Sequence, residues 1–143
     1  MSEIESTLAK LVVKDGVSLG GLSLAEQALA LAVAHAALPA DTVLHEREVN
    51  VALKAALAGP ARWLDTDHVE LRRWLVDAGW LQRDGFGREY RAVAHAALRA
   101  ELQPLARTLA TLGDLTRWVA NERARKQAER AERHARWLEQ ARQ

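Results

Sequence analysis

The stretch that decides the fold is residues 71–93, LRRWLVDAGWLQRDGFGREYRAV. Its first part predicts an amphipathic helix, because four apolar residues share one helical face: Leu71, Trp74, Leu75 and Ala78. Gly79 supplies the end of this helix, and Trp80 begins a strand. Residues 84–87 (DGFG) form a turn, and residues 88–93 (REYRAV) are the return strand. We therefore predict a helix followed by a β-hairpin.

The residues before this stretch predict two further helices and a short strand. Ser23 and Glu26 have the spacing of a capping box, so a helix begins there and ends before Pro39. Residues 41–44 (DTVL) are predicted to be an edge strand, and residues 45–59 the next helix. The order helix, strand, helix, helix, strand, strand is the winged helix-turn-helix plan. The predicted fold class is mainly α with a small β-hairpin, a winged helix-turn-helix core with a long C-terminal helical extension.

This assignment divides the chain into three segments. Residues 1–23 are ambiguous, since they fit a short helix followed by a hairpin or a loop. Residues 24–93 form the winged-helix domain, and residues 94–143 are predicted to be helical to the end. Within this extension Pro104 either restarts or kinks the helix, and a Gly-Asp pair at 113–114 separates the last helix. That helix is predicted to be about 40 Å long at ~1.5 Å per residue.

The composition is typical of a folded globular protein. Of the 143 residues 49% are hydrophobic and 27% are charged, and the absence of cysteine excludes disulfides and thiolate metal sites. The net charge of +1 is unevenly distributed, because residues 24–93 carry ten acidic and eight basic side chains whereas residues 94–143 carry six and ten. No signal-peptide pattern and no membrane-spanning apolar run is present. We expect a cytoplasmic protein with no membrane partner.

No residues have the spacing of a catalytic, cofactor or metal site. The five histidines form no i, i+4 pair, and His45 beside Glu46 and Glu48 is the best metal candidate without matching a ligand pattern. The sequence GVSLGG at 16–21 lacks the lysine of a phosphate-binding loop, and no nucleophile elbow is present. We expect a protein that is not an enzyme and that takes no cofactor or metal.

Two parts of the chain carry a resemblance to a bacterial family. In the stretch HEREVNVALKAAL the family pattern falls on Glu46, Glu48, Val49, Asn50, Leu53 and Lys54. In the stretch VELRRWLVDAGWLQRDGFGREYR it falls on Leu71, Arg72, Arg73, Leu75, Val76, Asp77, Gly79, Leu81, Arg83, Gly87 and Tyr90. On these residues the chain resembles domain of unknown function 2087, which implies a winged-helix fold and a link to transcriptional regulators. The alanine-rich segment after Lys54 and the basic tail depart from the family pattern.

The first functional hypothesis is a transcriptional regulator that binds double-stranded DNA as a dimer. Its nucleic-acid-binding residues would be Arg72, Arg73, Arg83, Arg88, Arg91 and Asn50. Each has a structural alternative, because the helix arginines can pair with nearby carboxylates, the hairpin arginines can be solvated, and the asparagine can cross-link a loop. Phe86 at the hairpin tip is either a contact point or folds back on the sheet.

The last helix combines a seam of small residues with a high density of arginine. Its predicted interaction residues are Trp118, Ala124, Ala128, Ala131, Ala135, Trp137 and Leu138. Glutamates interleave with the basic residues, as Glu132 does four residues before Arg136, which favours helix pairing over contact with nucleic acid. We therefore expect a homodimer or a protein partner through the C-terminal helices. The alternative function is a protein-interaction module on a winged-helix scaffold that binds no nucleic acid.

Overall fold

The computed structural model describes all 143 residues and contains six α-helices and three short β-strands. The helices are α1 (Glu3–Leu11), α2 (Leu24–Ala36), α3 (Glu46–Ala58), α4 (His68–Asp77), α5 (Gln103–Thr111) and α6 (Leu115–Ala141). The strands are β1 (Val43–His45), β2 (Leu81–Arg83) and β3 (Glu89–Ala92), and they form one antiparallel sheet in the order β1-β3-β2. The predicted fold class is confirmed, and the order from α2 to β3 is compatible with a winged helix.

Side chains cap the first turns of α2 and α4, and the sequence predicts the Ser23 cap of α2. The Ser23 hydroxyl accepts from the Glu26 N–H at 3.2 Å, and the Glu26 carboxylate accepts from the Ser23 N–H at 3.0 Å. The Asp67 carboxylate accepts from the Glu70 N–H at 2.8 Å and so caps α4. These bonds satisfy N–H groups that the first turn of a helix leaves without partners.

The β-hairpin is the ribbon of residues 81–92, in which Leu81 of β2 lies opposite Ala92 of β3. The Asp84 carboxylate organises its turn by accepting from the N–H groups of Arg88 at 3.0 Å and Phe86 at 3.1 Å. These bonds, the Arg88 bond foremost, lower the pKa of Asp84 and keep it ionised. β1 pairs with the other edge of β3 and widens the hairpin into a three-stranded sheet.

Residues 1–23, which the sequence leaves ambiguous, belong to the fold. Leu8, Leu11 and Leu19 are buried in the same apolar cluster as the central segment. The Val17 N–H donates to the Trp63 carbonyl at 3.0 Å, which ties this segment to the loop between α3 and α4. Trp63 is itself fully buried and donates its ring N–H to the Pro60 carbonyl at 2.9 Å.

The prediction of continuous helix after Val93 is wrong for residues 94–102. They form a 3-10 turn at His95–Ala97 and further turns, which bury Leu98 and Leu102 against the core. α5 begins at Gln103, so Pro104 lies in its first turn, where its missing N–H removes no helical hydrogen bond. The chain therefore restarts a helix at Pro104 rather than kinking one.

α6 is docked only over its first half. Val119 is buried, and the Arg123 guanidinium donates to the carbonyls of Val12 and Lys14 at 2.9 and 2.8 Å and to the Asp15 carboxylate at 2.6 Å. From Gln127 to the end of the chain every residue is exposed. None of the helices is long and apolar enough to cross a membrane.

His35 is the one buried polar side chain of the core. Its Nε2–H donates to the Val93 carbonyl at 2.8 Å, which joins α2 to the end of the ribbon. The ring packs against Trp80 at 5.0 Å and His95 at 5.9 Å between ring centroids. Burial lowers the pKa of His35, partly opposed by the bond to Val93 and assisted by His95. The imidazole is therefore neutral in the folded protein at pH 7.

We expect the stability of the protein to fall as the pH is lowered through about 6.5, the ordinary pKa of the histidine ring. Below this value the unfolded chain binds a proton at His35 that the folded protein does not, so the free energy of unfolding decreases by at most ~1.4 kcal/mol per pH unit. Denaturant unfolding between pH 7.5 and 5.5 should show this slope, and the slope should flatten in His35→Gln. His134→Gln, on the exposed part of α6, is the control and should keep the wild-type slope. A pKa at or above 6.5 for His35 in an NMR titration would contradict the expectation.

Candidate nucleic-acid interface

α4 and the ribbon lie side by side because the chain turns immediately between them. α4 buries Leu71 and Leu75, and Gly79 follows it in the left-handed region with φ +86°. Trp80 is fully buried, so β2 starts against the same core. The connection from α3 to α4 spans residues 59–67, longer than the three to four residues of a simple helix-turn-helix.

Arg72 does not project freely from α4. Its Nη1 donates to the Asn50 side-chain carbonyl, its Nη2 pairs with the Glu46 carboxylate at 3.1 Å, and its guanidinium lies 5.7 Å from the centre of the Tyr90 ring. The side chain is only 15% exposed. Arg72 therefore joins α4 to α3 and β3, which is the bracing role that the sequence left open, and its carboxylate partner is Glu46.

Arg91 is also engaged within the chain. It pairs with the Asp41 carboxylate at 3.0 Å and donates to the Asp41 carbonyl at 3.3 Å. Asp41 lies in the left-handed region with φ +51°, in the turn that leads into β1. Of the six side chains predicted to bind nucleic acid, Arg72, Asn50 and Arg91 thus have partners inside the molecule.

The other three predicted residues, Arg73, Arg83 and Arg88, are exposed and form no ion pair. Arg73 and Arg83 line one hollow between α4 and the ribbon. Arg88 lines a second hollow with Arg47 and Lys54 of α3, which are also exposed and form no ion pair. We call these five side chains the cationic rim. Arg47 and Lys54 are not among the predicted nucleic-acid-binding residues, although their spacing from Asn50 places all three on one face of α3.

Most carboxylates of this surface form hydrogen bonds or ion pairs within the chain. Glu48 accepts from the His45 N–H at 3.0 Å, and Asp67 and Asp84 accept from backbone N–H groups. Glu46 and Asp41 pair with arginines, as described above. The remaining acids on α4 and the ribbon are Glu70, Asp77 and Glu89. The cationic rim therefore projects from a surface whose acids are largely committed to local contacts.

Phe86 and the predicted interaction residues of α6 differ in exposure. Phe86 is 83% exposed at the ribbon tip and does not fold back on the sheet. Trp118 is half-buried against the core, whereas Trp137 is 61% exposed. The Trp137 ring stacks on His134 with 6.1 Å between the ring centroids. The rest of the seam is exposed: Ala124, Ala128, Ala131, Ala135 and Leu138. No group of three or more histidine, aspartate or glutamate side chains is arranged to hold a metal ion.

Replacing Arg72 is expected to destabilise the fold more than replacing its neighbour. Arg72→Ala leaves Asn50 and Glu46 without their partner and should lower the free energy of unfolding by about 1–3 kcal/mol. Arg73→Ala, the matched control, should change it by less than about 0.5 kcal/mol. Chemical denaturation measures both, and a double-mutant cycle with Asn50→Ala should give a non-zero coupling. Equal effects of the two arginine variants would contradict the brace.

The central segment of this chain matches a known family. Residues 23–92 match the family described as "Uncharacterized protein conserved in bacteria (DUF2087)". The match begins at the Ser23 cap of α2 and ends at the last residue of β3, so it contains Arg72 and its partners. No curated protein and no solved structure is found to match the chain. The segment of residues 23–92, with the two motifs around Asn50 and Arg72, therefore belongs to the bacterial family of uncharacterised proteins DUF2087.

Proposed function

We propose that this protein binds double-stranded DNA through α4, the ribbon and the exposed face of α3. The observation that carries the proposal is the cationic rim of Arg47, Lys54, Arg73, Arg83 and Arg88, because all five are exposed and none has an ion-pair partner. A cation without an intramolecular partner is available to neutralise a phosphate, and each such contact releases counterions from DNA.

The proposal assigns different roles to the predicted residues. Arg73 would approach the major groove from α4, and Arg83 and Arg88 would contact phosphates from the ribbon. Arg72 becomes a positioning residue, since it is held by Asn50 and Glu46. Within this assignment the protein acts by binding rather than by catalysis, as a transcriptional regulator would.

Binding to mixed-sequence duplex DNA at low salt tests this function. The wild-type chain should bind more tightly than about 10⁻⁴ M, the weak end of non-specific binding. The triple variant Arg73→Glu, Arg83→Glu, Arg88→Glu should lose this binding, because three phosphate contacts become repulsive. In single Ala variants of the rim the slope of log affinity against log salt should fall by about 0.9 for each contact removed.

The matched control for the DNA experiment is Arg107→Glu. Arg107 is exposed on α5, outside the α3, α4 and ribbon surface, so the variant makes the same charge change elsewhere. It should bind DNA as the wild type does, apart from the change in net charge. No detectable affinity for DNA in the wild type would contradict the proposal. Equal losses of affinity in the single variants Arg107→Glu and Arg73→Glu would also contradict it.

A second candidate function is self-association through α6. Residues 127–141 of this helix are entirely exposed, and they include Trp137 at 61% and Leu138 at 42% exposure. An isolated helix of this length is marginal in water, so a partner along the alanine seam would stabilise it. A second copy would also bring two winged-helix domains together, which suits paired half-sites on DNA.

Leu138→Glu is expected to weaken self-association without disturbing the folded chain, because this side chain lies in the seam and outside the core. Gln140→Glu is the matched control, since it introduces the same charge on the opposite face of the same helix turn. Sedimentation equilibrium should give a dimer for the wild type and the control and a shift towards monomer for Leu138→Glu. A monomeric wild type would contradict dimer formation, whatever the outcome of the DNA experiment.

A further inference from the structure

A cavity of about 600 Å³ lies between α2, α3, α5 and the start of α6. Thirteen of its nineteen lining residues are hydrophobic, and much of the wall consists of the methyl groups of Ala36, Ala52, Ala56, Ala106 and Ala110. Because alanine fills little volume, these four elements meet without closing the space between them. The volume lies within the range of about 300–1,000 Å³ that small-molecule sites occupy.

The cavity contains one buried polar side chain, His35, which is 3% exposed. Its Nε2 carries the proton, because it donates to the Val93 carbonyl at 2.8 Å. In the neutral ring the Nδ1 atom is then a hydrogen-bond acceptor. No protein group donates to Nδ1, and the only fully enclosed polar side-chain atom without a partner is Trp80 Nε1. The Nδ1 atom is not fully enclosed and the ring lines the cavity, so this acceptor is available to a molecule bound there.

We infer that this cavity is a binding site for a small, uncharged and mostly apolar molecule that donates one hydroxyl or N–H hydrogen bond to His35 Nδ1. The ring orientation is fixed before binding by the Val93 bond and by packing against Trp80 and His95. Exposed alanines at the edge of the cavity, including Ala36 and Ala110, leave an opening to solvent.

The chemistry of the walls excludes charged ligands from the interior of the cavity. A charge placed against alanine methyl groups would lose its hydration without gaining a counter-charge. Asp114 lies at the edge, where its carboxylate accepts from the Arg117 N–H at 3.2 Å as the cap of α6. An apolar molecule instead gains from leaving water, and its single donor can bond to His35 Nδ1. The inference does not depend on DNA binding, because none of the cationic rim lines this cavity.

The probe for this site is 2-naphthol, with naphthalene as the matched molecule that lacks only the hydroxyl donor. In ¹H–¹⁵N NMR titrations of the full chain, 2-naphthol should cause saturable shifts at the cavity residues, and the ¹⁵N shift of His35 Nδ1 should move. Naphthalene should bind about tenfold more weakly, the effect of one missing hydrogen bond, and should leave the Nδ1 shift unchanged. No saturable shift with 2-naphthol, or equal affinity for the two probes, would overturn the inference.

A variant that fills the cavity provides a second test, which does not depend on the signal of His35. Ala110→Phe places a ring in the cavity from an exposed position on α5 and should abolish the saturable shifts. Ala100→Phe, at an exposed position that does not line the cavity, is the control and should bind 2-naphthol as the wild type does. Undiminished binding in a folded Ala110→Phe protein would show that the probe binds elsewhere and would overturn the assignment.

Discussion

The surface formed by α3, α4 and the ribbon depends on the guanidinium of Arg72. Burial of Leu71 and Leu75 contributes about 1.5–3 kcal/mol for each side chain and brings α4 onto the core. Apolar contacts have little directional preference, however, whereas the bonds from Arg72 to Asn50 and Glu46 have a defined geometry. These bonds fix the rotation of α4 about its axis. Since Arg73 follows at a fixed angle around the helix, the same bonds determine where its exposed side chain points.

The net charge of this surface does not describe how its individual charges are used. Residues 24–93 carry two more acidic than basic side chains, which taken alone disfavours a polyanionic partner. Several of the acidic side chains have a structural role. Glu48, Asp67 and Asp84 accept hydrogen bonds from backbone N–H groups. The five side chains of the cationic rim, by contrast, form no ion pair within the chain.

Much of the fold could be predicted from local sequence signals, whereas the site could be predicted only in part. Caps such as Ser23 and Asp67 act within three residues, so the sequence alone shows them. The docking of residues 1–23 depends on pairing between Val17 and Trp63, which no local pattern encodes. The partners of Arg72 likewise lie more than twenty residues away, so the sequence could offer bracing and DNA contact only as alternatives. The sequence does not indicate the role of His35, because α2 is buried on nearly all sides and has no polar face against which an unusual residue would stand out.

α3 is the element that the cationic rim and the cavity share. Arg47 and Lys54 project on one side of this helix, while Ala52, Ala55 and Ala56 line the cavity on another. Arg72 connects to the first of these sides through Asn50, so any displacement of α3 changes the position of α4 as well. A molecule in the cavity alters the cationic rim only if it binds one position of α3 more tightly than another.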